Sequence, residues 1–265
     1  MKEIAVLAMR RSGHHAVINW LSKHVPGAVL MTEERGQDLT RPVWRDVELD
    51  ADKATADVRV GDFEEIPVEQ MRREYHEPIP FGEAVALEIV VVRDPFNLFA
   101  SRVRMLGERR AFIDGAVDIW KDHARRLFDD GPVVAVNFNK WFAYPQYRHM
   151  LLHGPLQDHV QEIDPAVERA ARQQVLDYGR GSSFDELEYD GRATQMRVLH
   201  RFQDEPNFDP DVHFDQETFD LCSVHWSECL LPFVMGKATQ RMNAFADALR
   251  HIDEKTIPPY EPESS

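Results

Sequence analysis

Five short apolar runs, spaced along the first half of the chain, most narrow the choice of fold. They lie at residues 4–9, 28–31, 58–63, 86–92 and 133–138. Each is too short for a buried helix, and each is nearly continuous rather than alternating, the pattern of a strand covered on both faces. Helical patterns fall between them. One starts at His14 and stops before Pro26, with Val17, Trp20 and Leu21 on one side. Others run from Pro67 through Met71 to about Tyr75, from Phe96 to about Arg109, and from Ile113 to Phe128. Strands alternating with helices specify a mostly parallel sheet with helices on both faces and right-handed crossovers. Residues 33–56 are polar, carry Arg41, Pro42, Trp44 and Arg45, and read as a long excursion between two strands.

Beyond residue 150 the character changes. Helical patterns are expected over 165–178, 216–231 and 236–251, with "GRGSSF" at 179–184 and a frayed tail. Charge divides the same way. Residues 1–150 hold 24 acidic and 21 basic side chains, whereas residues 151–265 hold 22 acidic and 10 basic ones. The expected organisation is one domain over 1–265, a nucleotide-binding core of 1–150 with an acidic, mainly helical extension of 151–265 packed on it. A formal charge of -15 disfavours nucleic acid as a partner, because the phosphate backbone would be repelled. No apolar stretch approaches a membrane span, no signal peptide is evident, and the two cysteines, Cys222 and Cys229, fit no common zinc pattern. A reduced, cytoplasmic setting is the expectation.

Against that acidity, basic residues gather at two turns. The first is "LAMRRSGHHAVINWL", residues 7–21, where a strand meets a helix. Backbone N–H groups and the helix dipole make such a turn an anion site. Arg10 and Arg11 add charged donors, Ser12 a hydroxyl, and Gly13 a close backbone approach. It is not a Walker A loop. His14 and His15 stand where that motif has lysine and a magnesium-binding hydroxyl. At a helix N-terminus both histidines are expected to lean neutral. The second turn is "EIVVVRDPFNLFASRVRML". Arg93 ends a strand, Asp94-Pro95 turns, and Ser101 follows eight residues after Arg93 on the next helix. Arg93 pairing with Asp94 is the plain alternative. Two anion sites at strand ends of one sheet suit a single ligand with two separated anionic groups.

These motifs resemble those of the 3′-phosphoadenosine-5′-phosphosulfate (PAPS) dependent sulfotransferases, and the chain is similar to a bacterial and phage branch of that superfamily. The resemblance covers most of residues 1–205 and extends to "VVAVNFNKWFAYPQYR" and "GRGSSFDELEYDGRATQMRVLHRF". It implies an α/β fold, a P-loop-type three-layer sandwich with a roughly five-stranded, mostly parallel sheet and a helical C-terminal extension. It implies that Arg10, Arg11, Ser12, Gly13, His14 and His15 cradle the 5′-phosphosulfate, and that Arg93 and Ser101 hold the 3′-phosphate. It further implies PAPS as co-substrate, no metal, and a small-molecule or saccharide acceptor. Arg11 replaces the family's loop lysine, and the Gly-Lys loop over the 3′-phosphate has no clear counterpart unless 179–183, with Arg180, takes its place. Candidate catalytic groups are Arg11, His14, His15 and Glu64, with Asp62 and Glu65 beside the last; which of the histidines or acids takes the acceptor's proton is open. Asn139, Lys140 and Trp141 could line the same edge, Trp141 being better explained as core. His123 reads as structural, and Arg197 and Arg201 as partners of nearby acids. A P-loop kinase and a non-catalytic nucleotide-binding protein are the alternatives.

Overall fold

The structure is a computed structural model of the 265-residue chain. It describes residues 2–27, 29–35, 43–48, 57–71, 87–112, 115–128, 133–161, 163–174, 188–230, 234–235 and 242. Six strands form one sheet: β1 Lys2–Ala8, β2 Val29–Arg35, β3 Val43–Glu48, β4 Val58–Glu64, β5 Leu87–Val92 and β6 Val133–Asn137. Their order is β3-β2-β4-β1-β5-β6, and only the β2–β3 pair is antiparallel. The five expected strands are therefore the five parallel ones.

The expected excursion after residue 33 is corrected. β2 continues to Arg35, and Val43–Glu48 returns as an antiparallel edge strand, Glu33 opposite Arg45. Its polar "VWRDVE" lacks the continuous apolar run of a central strand, as befits a strand paired on one side only.

Helices cover both faces. α1 (His14–His24) places Val17, Ile18, Trp20 and Leu21 on Ile4, Val6, Val58, Val60 and Val91. α5 (Phe138–Ala143) and α6 (Pro145–Leu152) add Phe138, Trp141 and Leu151 to that same core. On the other face, α2 (Pro95–Leu106), α3 (Glu108–Ala111) and α4 (Ala116–Arg125) cover Ala5, Leu7, Phe63, Val90 and Val92. The result is a three-layer α/β sandwich. The helix expected to reach Arg109 is broken at Gly107, whose φ of 78° carries it out of the α region.

The second half packs partly onto this frame. α7 (Pro165–Gln173) is tied to α1, Asn19 Nδ2 donating to the Ala171 carbonyl at 3.0 Å. A short helix α8 (Pro210–His213) and α9 (Gln216–His225) bring Phe214, Leu221, Cys222 and Trp226 into the α2–α4 core. α9 ends earlier than expected, at His225, and a further helical stretch covers 227–230. The expected helical residues at 72–75, 175–178, 231, 236–241 and 243–251, and the "GRGSSF" segment, lie outside the described residues. No helix among the described residues is long and apolar enough to cross a membrane.

The strand order fixes where a ligand is most readily held. β1 connects onward to β2 on one side, past β4, while its neighbour β5 connects to β6 on the other. The crevice beyond the carboxyl ends of β1 and β5 is therefore the topological switch point. The two basic turns, after residues 8 and 92, both open there.

Candidate active site

The first turn is shaped by its own backbone. The Ser12 N–H donates to the Met9 carbonyl at 3.0 Å, closing a tight turn. Arg11 (φ 74°) and Gly13 (φ 85°) both take left-handed conformations. An L-residue pays for that geometry, so finding Arg11 in it marks a turn held by its surroundings. Gly13 is required twice over. Its φ suits glycine, and an added Cβ would run into the Phe138 ring. Gly13 caps α1 without any side-chain hydrogen bond, whereas Asp94 caps α2 by accepting from the Asn97 N–H at 2.8 Å.

Arg93 sits directly beneath this turn. Its Nη1 donates to the Arg11 carbonyl at 2.9 Å, and its Nη2 to the carbonyl of Val198. The Phe138 ring lies 5.6 Å from the guanidinium carbon, so Phe138 packs against both Gly13 and Arg93. Burial, opposed by Asp94 and reinforced by Arg11, lowers the Arg93 pKa to about 10. Burial also lowers that of Arg11, with Glu64 acting against it. Arg93 does not hydrogen-bond Asp94, whose carboxylate instead accepts from Asn97 and from Asn139 Nδ2 at 2.9 Å. Arg93 Nε and Ser101 Oγ are buried and have no hydrogen-bond partner among the described residues. The two anion-site candidates are thus joined at one corner through Arg93. Ser101 lies within α2, fully buried, and makes no hydrogen bond to Arg93.

The carboxyl end of β4 completes the corner. Register places Asp62 opposite Val6 and Glu64 opposite Ala8. Asp62 and Glu64 follow Val58 and Val60 at period two, on the face that α1 covers. His14 stands over them. Its Nε2–H donates to Asp62 Oδ2 at 3.2 Å and lies 3.4 Å from Glu64 Oε1. Its Nδ1–H donates to Ser12 Oγ at 3.1 Å. His15 Nε2 reaches the same Asp62 oxygen at 3.1 Å, and Arg10 Nε donates to Glu64 Oε2 at 2.9 Å.

His14 does not lean neutral. Burial alone would push its pKa down, but Asp62 and Glu64 outweigh burial and raise it to about 10. The helix-dipole argument is local, and two carboxylates within hydrogen-bond range override it. The carboxylates respond in kind: burial would raise them, and His14 instead holds both Asp62 and Glu64 below the usual range. An imidazolium with both N–H groups committed cannot act as a general base. The Ser12–His14–Asp62 row is therefore no hydrolase triad, despite its outward likeness. It delivers positive charge to Ser12, whose hydroxyl accepts from His14 and is left to donate its own proton outward.

The remaining expected residues fall as follows. Glu65, at φ 65°, bonds Arg102 and continues the ladder to the Ala8 carbonyl. Asn139 is buried against Asp94, Trp141 is core, and His123 Nε2–H donates to the Ile66 carbonyl at 2.8 Å. Arg197 faces Asp204 at 3.7 Å, and Arg201 is buried.

No protein-family model and no curated protein matches the sequence. Among solved structures, mouse sulfotransferase SULT7A1 complexed with PAP is similar over 92% of this chain and 88% of that one. The identity is 10% and the TM-score 0.43.

Two contributors to the corner were not legible as such. Phe138 reads as the end of a strand, yet its ring fixes Gly13 and Arg93. The carbonyls of Val198 and Leu199 bond Arg93 and Asn97, and nothing in their side chains announces it. Asp62 had a visible signal, being an acid at an α1-facing position of a buried strand.

Proposed function

We propose that the protein transfers a sulfuryl group from PAPS to an acceptor hydroxyl or amine. The observation carrying this is the joining of the two basic turns at the switch point, through Arg93 and the Arg11 carbonyl. A ligand with anionic groups at both ends of an adenosine suits that arrangement. The uncapped α1 N-terminus, Arg11 and Ser12 would receive the 5′-phosphosulfate. The unpartnered donors of Arg93 Nε and Ser101 Oγ would receive the 3′-phosphate.

In the transfer, the acceptor oxygen or nitrogen bonds to sulfur as the bond from sulfur to the bridging oxygen breaks. Negative charge gathers on the departing phosphate. Arg11 and the Ser12 hydroxyl, polarised by His14, stabilise it, and the buried corner strengthens that effect. The acceptor's proton passes to His15 or Glu64, the partly exposed members of the cluster around the buried Asp62. Fixing the adenosine end through Arg93 and Ser101 positions the sulfuryl group for in-line attack. Magnesium has no role in this scheme, since the loop lacks the hydroxyl that would hold it.

Calorimetric titration with adenosine 3′,5′-bisphosphate, with and without magnesium, tests the proposal. Binding at one site, unchanged by magnesium and lost in Arg93→Ala, is expected, followed by sulfate transfer from PAPS in an acceptor screen. Preference for magnesium-ATP would point to a kinase. Bisphosphate binding without sulfate transfer to any acceptor would point to a non-catalytic nucleotide-binding protein.

A further inference from the structure

The donor atoms over β4 converge more than a hydrogen-bond network requires. One ligand atom from each of His14, His15 and Glu64 lies within 4.8 Å of the other two. Asp62 Oδ2 sits 3.2 Å from His14 Nε2 and 3.1 Å from His15 Nε2, and Glu64 Oε1 is 3.4 Å from His14 Nε2. Charge-assisted hydrogen bonds run shorter, at about 2.7–2.9 Å. Donors about 2.0–2.1 Å from a tetrahedral metal stand about 3.3 Å apart, and these three separations of 3.1–3.4 Å match that spacing. A second observation points the same way: Asp62 is fully buried, yet its Oδ1 has no hydrogen-bond partner among the described residues. His14 also has the outer bond expected of a ligating histidine, Nδ1–H donating to Ser12 Oγ.

We propose that His14, His15, Glu64 and Asp62 bind one divalent transition metal of the zinc class. Two imidazoles with carboxylates select such a metal over magnesium or calcium, which take oxygen donors. The metal and the His14 proton compete for Nε2. With the metal bound, a dication replaces the imidazolium as the positive charge behind Ser12 and the turn. This departs from the absence of metal that the sequence resemblance implies, and it does not depend on sulfuryl transfer being the reaction; with the metal bound, His15 and Glu64 are ligands and no longer take the acceptor's proton.

The test is cobalt binding to chelator-treated full-length protein. His149 and His153 form a second, exposed histidine pair, ring centroids 4.1 Å apart, so the measurement uses a His149→Ala/His153→Ala background. The expected result is one equivalent of Co²⁺ with the intense visible bands of a tetrahedral site, displaced by Zn²⁺. His15→Ala and Glu64→Gln should each weaken binding by about 10–100-fold or more, with far-ultraviolet circular dichroism unchanged. His15 is partly exposed, so its replacement spares the core if His14→Ala does not fold. Absence of binding at about tenfold excess Co²⁺ overturns the proposal, as does binding that His15→Ala and Glu64→Gln leave intact. Titration with adenosine 3′,5′-bisphosphate of the same samples reports separately on the nucleotide.

Discussion

Replacing Gly13 by alanine probes how the anion-binding turn is held. Two costs add. An L-residue at φ 85° is disfavoured by about 1–2 kcal/mol. The new methyl also meets the Phe138 ring, which is 3% exposed and packed on Trp141. Overpacking of a buried site costs about 1–3 kcal/mol. The sum is about 2–5 kcal/mol, which at a urea slope of about 2 kcal/mol/M lowers the midpoint by about 1–2.5 M. Gly115→Ala separates the two costs. Gly115, the N-cap of α4, shares the left-handed conformation of Gly13 at φ 69° and ψ 28°, but an added Cβ there meets only Asp118 Oδ2 at 3.9 Å. It should lose only the backbone share, about 1–2 kcal/mol. Adding Phe138→Leu to Gly13→Ala should recover part of the packing share, giving a favourable coupling energy in the double-mutant cycle. Urea denaturation by tryptophan fluorescence reads the wild type, the three single variants and the double variant. Equal losses for Gly13→Ala and Gly115→Ala, with no coupling to Phe138, would refute the view that packing shapes the turn.

Other expectations concern charge. In chelator, His14, raised from 6.5 to about 10, contributes stability fully present below pH 6.5 and lost as pH rises through 10. The depressed Asp62 and Glu64 contribute stability present above the ordinary carboxylate range and lost as pH falls through their lowered values. Urea midpoints across pH should therefore decline above 6.5 with a slope of up to about 1.4 kcal/mol per pH unit, and His14→Gln should flatten that decline. Arg93→Lys keeps the charge but cannot reach both the Arg11 and Val198 carbonyls. A loss of about 1.5–3 kcal/mol in urea unfolding is expected. Asp94→Ala removes the α2 cap and the acceptor for Asn97 and Asn139, and should cost about 2 kcal/mol or more by the same assay.

The parallel sheet was legible because its strands are buried on both faces, so apolar runs such as that ending in Met9 stand out without long-range information. β3 was not, because an edge strand needs no apolar run, and its polar residues resemble those of a loop. The break at Gly107 was visible only as a glycine in a helical pattern, and its positive φ decides the outcome. The two turns could be read as anion sites from local chemistry. How they meet could not: Arg93 is held by a carbonyl 105 residues away in sequence. His14 shows the same limit. The helix dipole that favours a neutral ring is local, while the carboxylate that charges it comes from a strand 48 residues on.

The most direct measurement compares the affinities of adenosine 3′,5′-bisphosphate and adenosine 5′-monophosphate for the wild-type protein and Ser101→Ala. A hydrogen bond to a charged phosphate is worth about 1.5–3 kcal/mol, so even one of the two should make the 3′-phosphate tighten binding by about 10–150-fold. That advantage should shrink in Ser101→Ala, while the monophosphate affinity stays the same. Equal affinity of the wild-type protein for the two nucleotides would contradict a ligand held at both ends by the β1 and β5 turns.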